Sequence, residues 1–340
     1  MHERGNKGST QMSQTAQDPA EAKAQATPPI ERWIGYTLGA VGAAFFATKG
    51  IVIKLAMIEN VDALTTLTWR MIIAVPFFAL IGWMGYRDRR RKQPGLKIAP
   101  MTLVKTAFVG MIGYYIASYL DFAGLEYITA QLDRLILLTY PFFVVLFGAI
   151  AFRRKVSAAM VAALMVSYSG LIMIFGHELQ LGGTDTIIGS ALVLGAAIAF
   201  ALYQLLAKPL IDQLGARLFT SVAMTAAGFA VVIHFLFVHP VSALALGPNA
   251  MWLMLAMGTV STVLPAYLIS ASIGIIGPEP TAIMGNVSPV ITILLAVTVL
   301  GELFSVWHAI GAAMVLLGII TFTRAERRVQ KLALKVPPAV

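Results

Sequence analysis

Residues 186–211 read TIIGSALVLGAAIAFALYQLLAKPLI, and no charged side chain interrupts them before Lys208. A helix of about 20 such residues rises roughly 30 Å, the hydrocarbon thickness of a bilayer. The stretch is too long for a buried strand and too apolar for a solvent-facing helix, so it reads as a membrane span. Residues 34–57, IGYTLGAVGAAFFATKGIVIKLAM, have the same character. Eight further stretches share it, at roughly 63–84, 102–124, 127–150, 157–175, 216–238, 250–273, 279–300 and 305–323. The short connections between these ten spans leave no room for a soluble domain.

Composition agrees. Of 340 residues, 58% are hydrophobic and 12% charged, with a mean hydropathy of +0.80. A soluble domain carries about 25% charged residues, and this chain has too few polar side chains to cover a watery surface. Without cysteine, disulfide scaffolds, thiolate metal sites and cysteine nucleophiles are excluded. A net charge of +9 would suggest nucleic acid in a soluble protein, but here the placement of the charges decides.

With the amino terminus in the cytoplasm, twenty Lys and Arg fall on the inside. They run from Arg4 and Arg32 through Arg87–Lys92, Arg153-Arg154-Lys155, Lys208 and Arg217 to Arg324–Lys335. The outside loops hold none, only acids such as Glu59, Asp62, Glu178, Asp185 and Glu302. This is the positive-inside asymmetry, and it predicts a multi-pass protein of the cytoplasmic (inner) membrane with both termini cytoplasmic. It also removes nucleic acid as a partner, since the basic segments meet anionic lipid headgroups instead. Residues 1–32 are too polar to bury a core and read as a disordered cytoplasmic tail. Residues 324–340 read as a basic cytoplasmic tail.

The chain also repeats itself. A shift of 148 residues aligns Pro141 with Pro289, Leu146 with Leu294, Ser157 with Ser305 and Gly170 with Gly318. A shift near 154 aligns the surroundings of Gly42-Ala43-Ala44 with those of Gly195-Ala196-Ala197 and places Lys54 on Lys208. Each copy, 33–176 and 186–323, holds five spans, and an odd number turns the second copy upside down relative to the first. The expected fold is an all-α membrane protein of ten transmembrane helices in two inverted five-helix repeats.

The run from Asn286-Val-Ser-Pro289 to Leu300-Gly301-Glu302, followed by Gly311 through Gly318, resembles the second repeat of EamA-type proteins in the drug/metabolite transporter superfamily. Residues 124–175, with Pro141 in the fourth span, resemble the first repeat, so the likeness covers about 34–323. In that family a Gly-Glu pair usually closes the fourth span too; here that place is Arg154, on the cytoplasmic side. The resemblance implies ten helices and a solute carrier, and it names no substrate.

Ionisable residues inside spans cost about 2.5–3.5 kcal/mol each on insertion scales, so they mark functional candidates. Apart from Lys105, Lys208 and Arg217 at cytoplasmic span ends, this chain has Lys49, Lys54, Arg70, Asp121, Asp133 and Arg134, all in the first repeat. At about 1.5 Å per residue, Lys49, Arg70 and Arg134 lie roughly 6–7 Å to the outer side of their span centres. Three cations at one depth suggest a polar chamber. Tyr114, Ser118 and Asp121 share one face of the third span. From the second repeat, Tyr203 and Asn286 are the expected contacts. Substrate binding is therefore assigned to Lys49, Arg70, Tyr114, Asp121, Asp133, Arg134, Tyr203 and Asn286, with Asp121 and Asp133 as coupling-proton candidates. The structural alternative is an ion pair such as Arg70–Asp133 or Arg134–Asp121, while Lys54 can snorkel to the interface. Pro76, Pro141, Pro265 and Pro289 are candidate kinks. The small-residue pairs Gly35/Gly39 and Ala158/Ala162 allow close helix contact, within the chain or in a homodimer.

Neither a nucleotide-binding loop nor a metal-ligand set nor a nucleophile–base pair stands out, so no enzyme, cofactor or metal is expected. The expected function is secondary transport of a small polar, carboxylate-bearing metabolite, an amino acid or organic anion, by alternating access, with export preferred over uptake. The alternatives are an exporter of apolar drugs, a lipid flippase, and a membrane sensor or assembly partner that transports nothing.

Overall fold

The structure, a computed structural model, describes residues 29–92, 98–152, 157–276 and 288–335, together with 281 and 284. All regular structure among them is helical. The helices are α1 (Pro29–Ile58), α2 (Ala63–Lys92), α3 (Pro100–Gly124), α5 (Ala158–Gly182), α6 (Thr184–Leu214) and α7 (Ala216–Val238). They continue with α9 (Ser288–Leu300) and α10 (Val306–Lys335). The helix α4 is broken into Ala130–Leu137 and Tyr140–Phe152, and α8 comprises Pro248–Gly258, Thr259–Val263 and Leu264–Ile276. Nine helices among the described residues are long and apolar enough to cross a membrane, and α9 is the shorter tenth. Phe237 is 87% and Trp252 71% exposed, an arrangement stable only against lipid.

Several boundaries differ from the sequence reading: α2 runs on past residue 84 to Lys92, and α5 past 175 to Gly182. The first helix begins at Pro29 rather than after residue 32, because proline is tolerated at a helix start, where its missing N–H has no acceptor anyway. The last helix continues past residue 323 to Lys335. Residues 1–28, Arg153-Arg154-Lys155 and most of 279–287 lie outside the described residues.

The two repeats pack by the same rules. Helix α1 runs against α8, and its counterpart α6 runs against α3; α2 packs on α7, and α5 on α10. The helices connect up and down, so α1 and α6 run in opposite directions, as an inverted repeat requires. The α5–α10 crossing shows the symmetry at atomic level. A Cβ on Gly170 would meet the Gly311 carbonyl and the Val315 nitrogen. A Cβ on Gly318, 148 residues later, would meet the Ala163 carbonyl and the Ser167 nitrogen, the same positions shifted by 148. Ala158 and Ala162 are exposed and make no close helix contact within the chain. Gly35 and Gly39 approach Ile276 and Ser272 of α8, so that pair packs within the chain.

Irregular backbone falls at symmetric places. Helix α3 widens to a π-turn over Met111–Ile116 and α8 over Thr259–Val263, again 148 residues apart at their starts. Pro265, just beyond the second turn, has no N–H to give and crowds the carbonyl four residues back. Nothing comparable stands beside the first turn, although Gly113 there lets the Tyr203 ring come close. The break in α4 falls at Leu138-Thr139, directly before Pro141, and Thr139 Oγ1 donates to the Ile136 carbonyl at 2.7 Å.

Candidate substrate chamber

The charges of α1, α2, α3 and α4 meet in the interior. Lys49 Nζ donates to Asp121 Oδ2 at 2.6 Å, an ion pair whose side chains are 12% and 3% exposed. Arg70, 7% exposed, uses its fork on two hydroxyls: Nε donates to Thr262 Oγ1 at 3.1 Å and Nη1 to Ser118 Oγ at 3.2 Å. Arg134 Nη2 donates to Ser288 Oγ at 2.5 Å. The π-turn of α8 brings Thr262 to Arg70, and Thr262 donates in turn to the Met257 carbonyl at 2.8 Å. In the same turn Ser261 shares a 2.7 Å hydrogen bond with Thr48 of α1.

Two aromatic rings bind the cluster together. The Phe122 ring has the Lys49 ammonium 5.8 Å from its centroid and the Arg70 guanidinium 5.6 Å away. The Phe46 ring lies 6.0 Å from the Lys49 ammonium and 5.4 Å from the Arg134 guanidinium. Both are cation–π distances. Phe46 nonetheless keeps 37% of its surface open.

The sequence-derived set divides as follows. Lys49, Arg70, Asp121 and Arg134 come together as expected, with Ser118, Thr262 and Ser288 supplying hydroxyls. The ion pair formed is Lys49–Asp121, not Arg70–Asp133 or Arg134–Asp121, since Asp121 on α3 faces α1 rather than α4. Asp133 is 3% exposed, and its Oδ1 has no hydrogen-bond partner. Tyr203 and Tyr114 lie beside the cluster: the Tyr203 hydroxyl donates to that of Tyr114 at 2.9 Å, with the rings edge to face at 5.1 Å. Tyr203 also stacks on Phe200 at 5.7 Å and leans on Phe219. Asn286 lies outside the described residues. Sequence reasoning missed Ser288, Phe46 and Thr48, none of which bears a mark that separates it from packing residues.

The half-helix Ala130–Leu137 that carries Asp133 and Arg134 is held from the second repeat. Glu302 Oε1 accepts from the Ala130 N–H at 2.7 Å and Oε2 from the Gln131 N–H at 3.2 Å. Two orphan donors and the positive end of the helix dipole are thus satisfied by one carboxylate. Gly301, with φ 68°, makes the turn that delivers it.

A model of the EamA-like transporter family matches residues 33–176 and again 187–324. The chain belongs to that family. Its relatives include the uncharacterized transporter YcbK of Bacillus subtilis (strain 168), 29% identical over 284 residues that span 80% of this chain and 86% of YcbK. An uncharacterized transporter of Clostridium kluyveri is 23% identical over 290 residues, 84% of this chain and 92% of its own length. A solved crystal structure superposes with a TM-score of 0.56 at 17% identity, covering 87% of this chain and 99% of its own, and so shares the fold. The Gly301-Glu302 ending that carried the EamA likeness is thus a tie between the two repeats, and it caps the half-helix that carries Asp133 and Arg134.

Proposed function

We propose that this protein is a secondary carrier for a small carboxylate-bearing metabolite, an amino acid or organic anion, moved by alternating access of the two repeats. One observation carries the reading. Arg70 and Arg134 are bonded to hydroxyls, while the Asp121 carboxylate serves Lys49. Three cations against Asp121 and Asp133 leave the chamber one positive charge in excess. A buried charge without a partner is costly, and a substrate carboxylate offsets that cost with a bidentate guanidinium contact. Asp133, whose Oδ1 is unpartnered, is the group we assign to a substrate amine or to a coupling proton; Asp121 is the second candidate. Tyr114 supplies a hydroxyl at the chamber edge.

In this reading the end bearing Arg87–Lys92 faces the cytoplasm, with both termini, and the end bearing Glu126 and Glu302 faces outward across the inner membrane. The test compares each carboxylate in a panel with its amide. In nanodiscs, a carboxylate that binds raises the unfolding midpoint and its amide does not. Equal shifts for both members of every pair would overturn the anion assignment.

A further inference from the structure

At the acidic end of the bundle, α5 and α10 place three metal-ligand side chains against one another, away from the chamber. His308 lies in the first turn of α10 and is 1% exposed, and its Nε2 is 2.8 Å from Glu178 Oε1. The Ser305 N–H donates to His308 Nδ1 at 3.3 Å, so Nδ1 holds the lone pair and Nε2 faces the carboxylate. His177, next to Glu178, sets its ring edge-on to His308 with centroids 5.2 Å apart. Its Nδ1 is buried and has no hydrogen-bond partner. One ligand atom from each of the three lies within 4.8 Å of the other two.

Structural needs alone do not call for this arrangement. A single His–Glu hydrogen bond would tie α5 to α10 without a second imidazole beside it. We infer that His177, Glu178 and His308 form a binding site for a divalent transition-metal ion of the zinc class. Two imidazoles and a carboxylate suit Zn²⁺ or Co²⁺, whereas Mg²⁺ and Ca²⁺ require oxygen donors. Zinc bonds of about 2.0–2.2 Å set tetrahedral ligand atoms about 3.3–3.5 Å apart. Binding therefore requires the trio to draw in from its present spacing, within 4.8 Å, to that size. The ion takes the Nε2 lone pair of a neutral His308, so its one proton moves to Nδ1, where Ser305 Oγ, 2.8 Å away, accepts it and orients the ring. Three protein ligands leave the fourth position to water. The ion joins the last helix of the first repeat to the last helix of the second, at one end of the crossing made by Gly170 and Gly318.

The test uses the full-length protein without a polyhistidine tag, in nanodiscs, with Co²⁺ as the spectroscopic probe and Zn²⁺ as the competitor. One equivalent of Co²⁺ should give the intense visible bands of a four-coordinate site, and Zn²⁺ should bleach them. His177→Phe keeps the ring packing and the His308–Glu178 hydrogen bond, yet removes a ligand. Loss of an outer partner alone lowers metal affinity about 10–100-fold, so this variant should lose at least as much, and Glu178→Gln likewise. Absence of a saturable four-coordinate spectrum in the parent overturns the site, whatever the variants do. Equal Co²⁺ affinity in the parent and His177→Phe overturns it as well, and leaves the trio as a hydrogen-bonded clamp.

Discussion

Lys49 Nζ and Asp121 Oδ2 lie 2.6 Å apart, and this contact joins α1 to α3 across the centre of the first repeat. Removing one member leaves the other charged and nearly dry, which typically costs about 3–5 kcal/mol. Asp121→Ala should therefore lower the unfolding midpoint markedly. The pair replacement Lys49→Met with Asp121→Leu should recover most of that loss without restoring transport. A double variant as unstable as the single one would show that the pair is not the source of the penalty.

Arg70 presents Nε to Thr262 and Nη1 to Ser118, a fork that lysine cannot reproduce. Hydrogen bonds to charged groups contribute about 1.5–3 kcal/mol, roughly ten- to a hundredfold in affinity. Arg70→Lys should weaken substrate half-saturation to that extent while the protein remains folded. Unchanged half-saturation in Arg70→Lys would reduce Arg70 to a simple point charge.

Glu302 closes two free N–H groups at the start of the Ala130–Leu137 half-helix from the other repeat. Losing a cap costs about 0.5–2 kcal/mol. Glu302→Ala should lower stability by that order, with Glu302→Gln in between because it keeps one acceptor. Hydrogen exchange at Ala130 and Gln131 should rise in the alanine variant, and no rise there would mean that the cap is dispensable.

The glycines of the α5–α10 crossing separate tight packing from helix propensity. A Cβ on Gly318 would lie 2.7 Å from the Ser167 nitrogen and 2.8 Å from the Ala163 carbonyl, whereas one on Gly176 would meet nothing within 4 Å. Overpacking against backbone costs about 1–3 kcal/mol, so Gly318→Ala should destabilise. Gly176→Ala, in the same pair of helices, should be neutral or stabilising by up to about 1 kcal/mol. Thermal unfolding of the two variants side by side gives the comparison.

These examples also show why some features were legible in the sequence and others were not. Span length and apolarity announce a membrane helix locally, so the helix count and the repeat follow from 186–211 and its companions. The Gly170/Gly318 register was visible as one of four identities at one offset. The π-turns were not, because Met111–Ile116 and Thr259–Val263 share no local signature and their widening depends on what packs beside them. In the chamber, the depth of Lys49, Arg70 and Arg134 along their helices could be counted from the chain. Their partners could not be: Ser288 is 154 residues from Arg134, and Thr262 is 192 from Arg70. For Asp121, facing direction decided between partners at similar depth, and Lys49 rather than Arg134 was the outcome. Glu302 looked like a solvated loop acid, since its use as a cap exists only once the two repeats are docked.

In the proposed carrier, Arg70 and Arg134, bonded to hydroxyls, bind the substrate carboxylate. Counterflow in proteoliposomes tests it most directly, with a panel of carboxylates, amino acids, sugars and organic cations. Arg70→Ala and Arg134→Ala are the informative variants, because neither removal strands a salt-bridged acid. The parent should exchange carboxylate-bearing solutes, and both variants should lose that exchange at unchanged folded yield. Exchange of cations or uncharged solutes alone, or carboxylate flux that survives both substitutions, would contradict it.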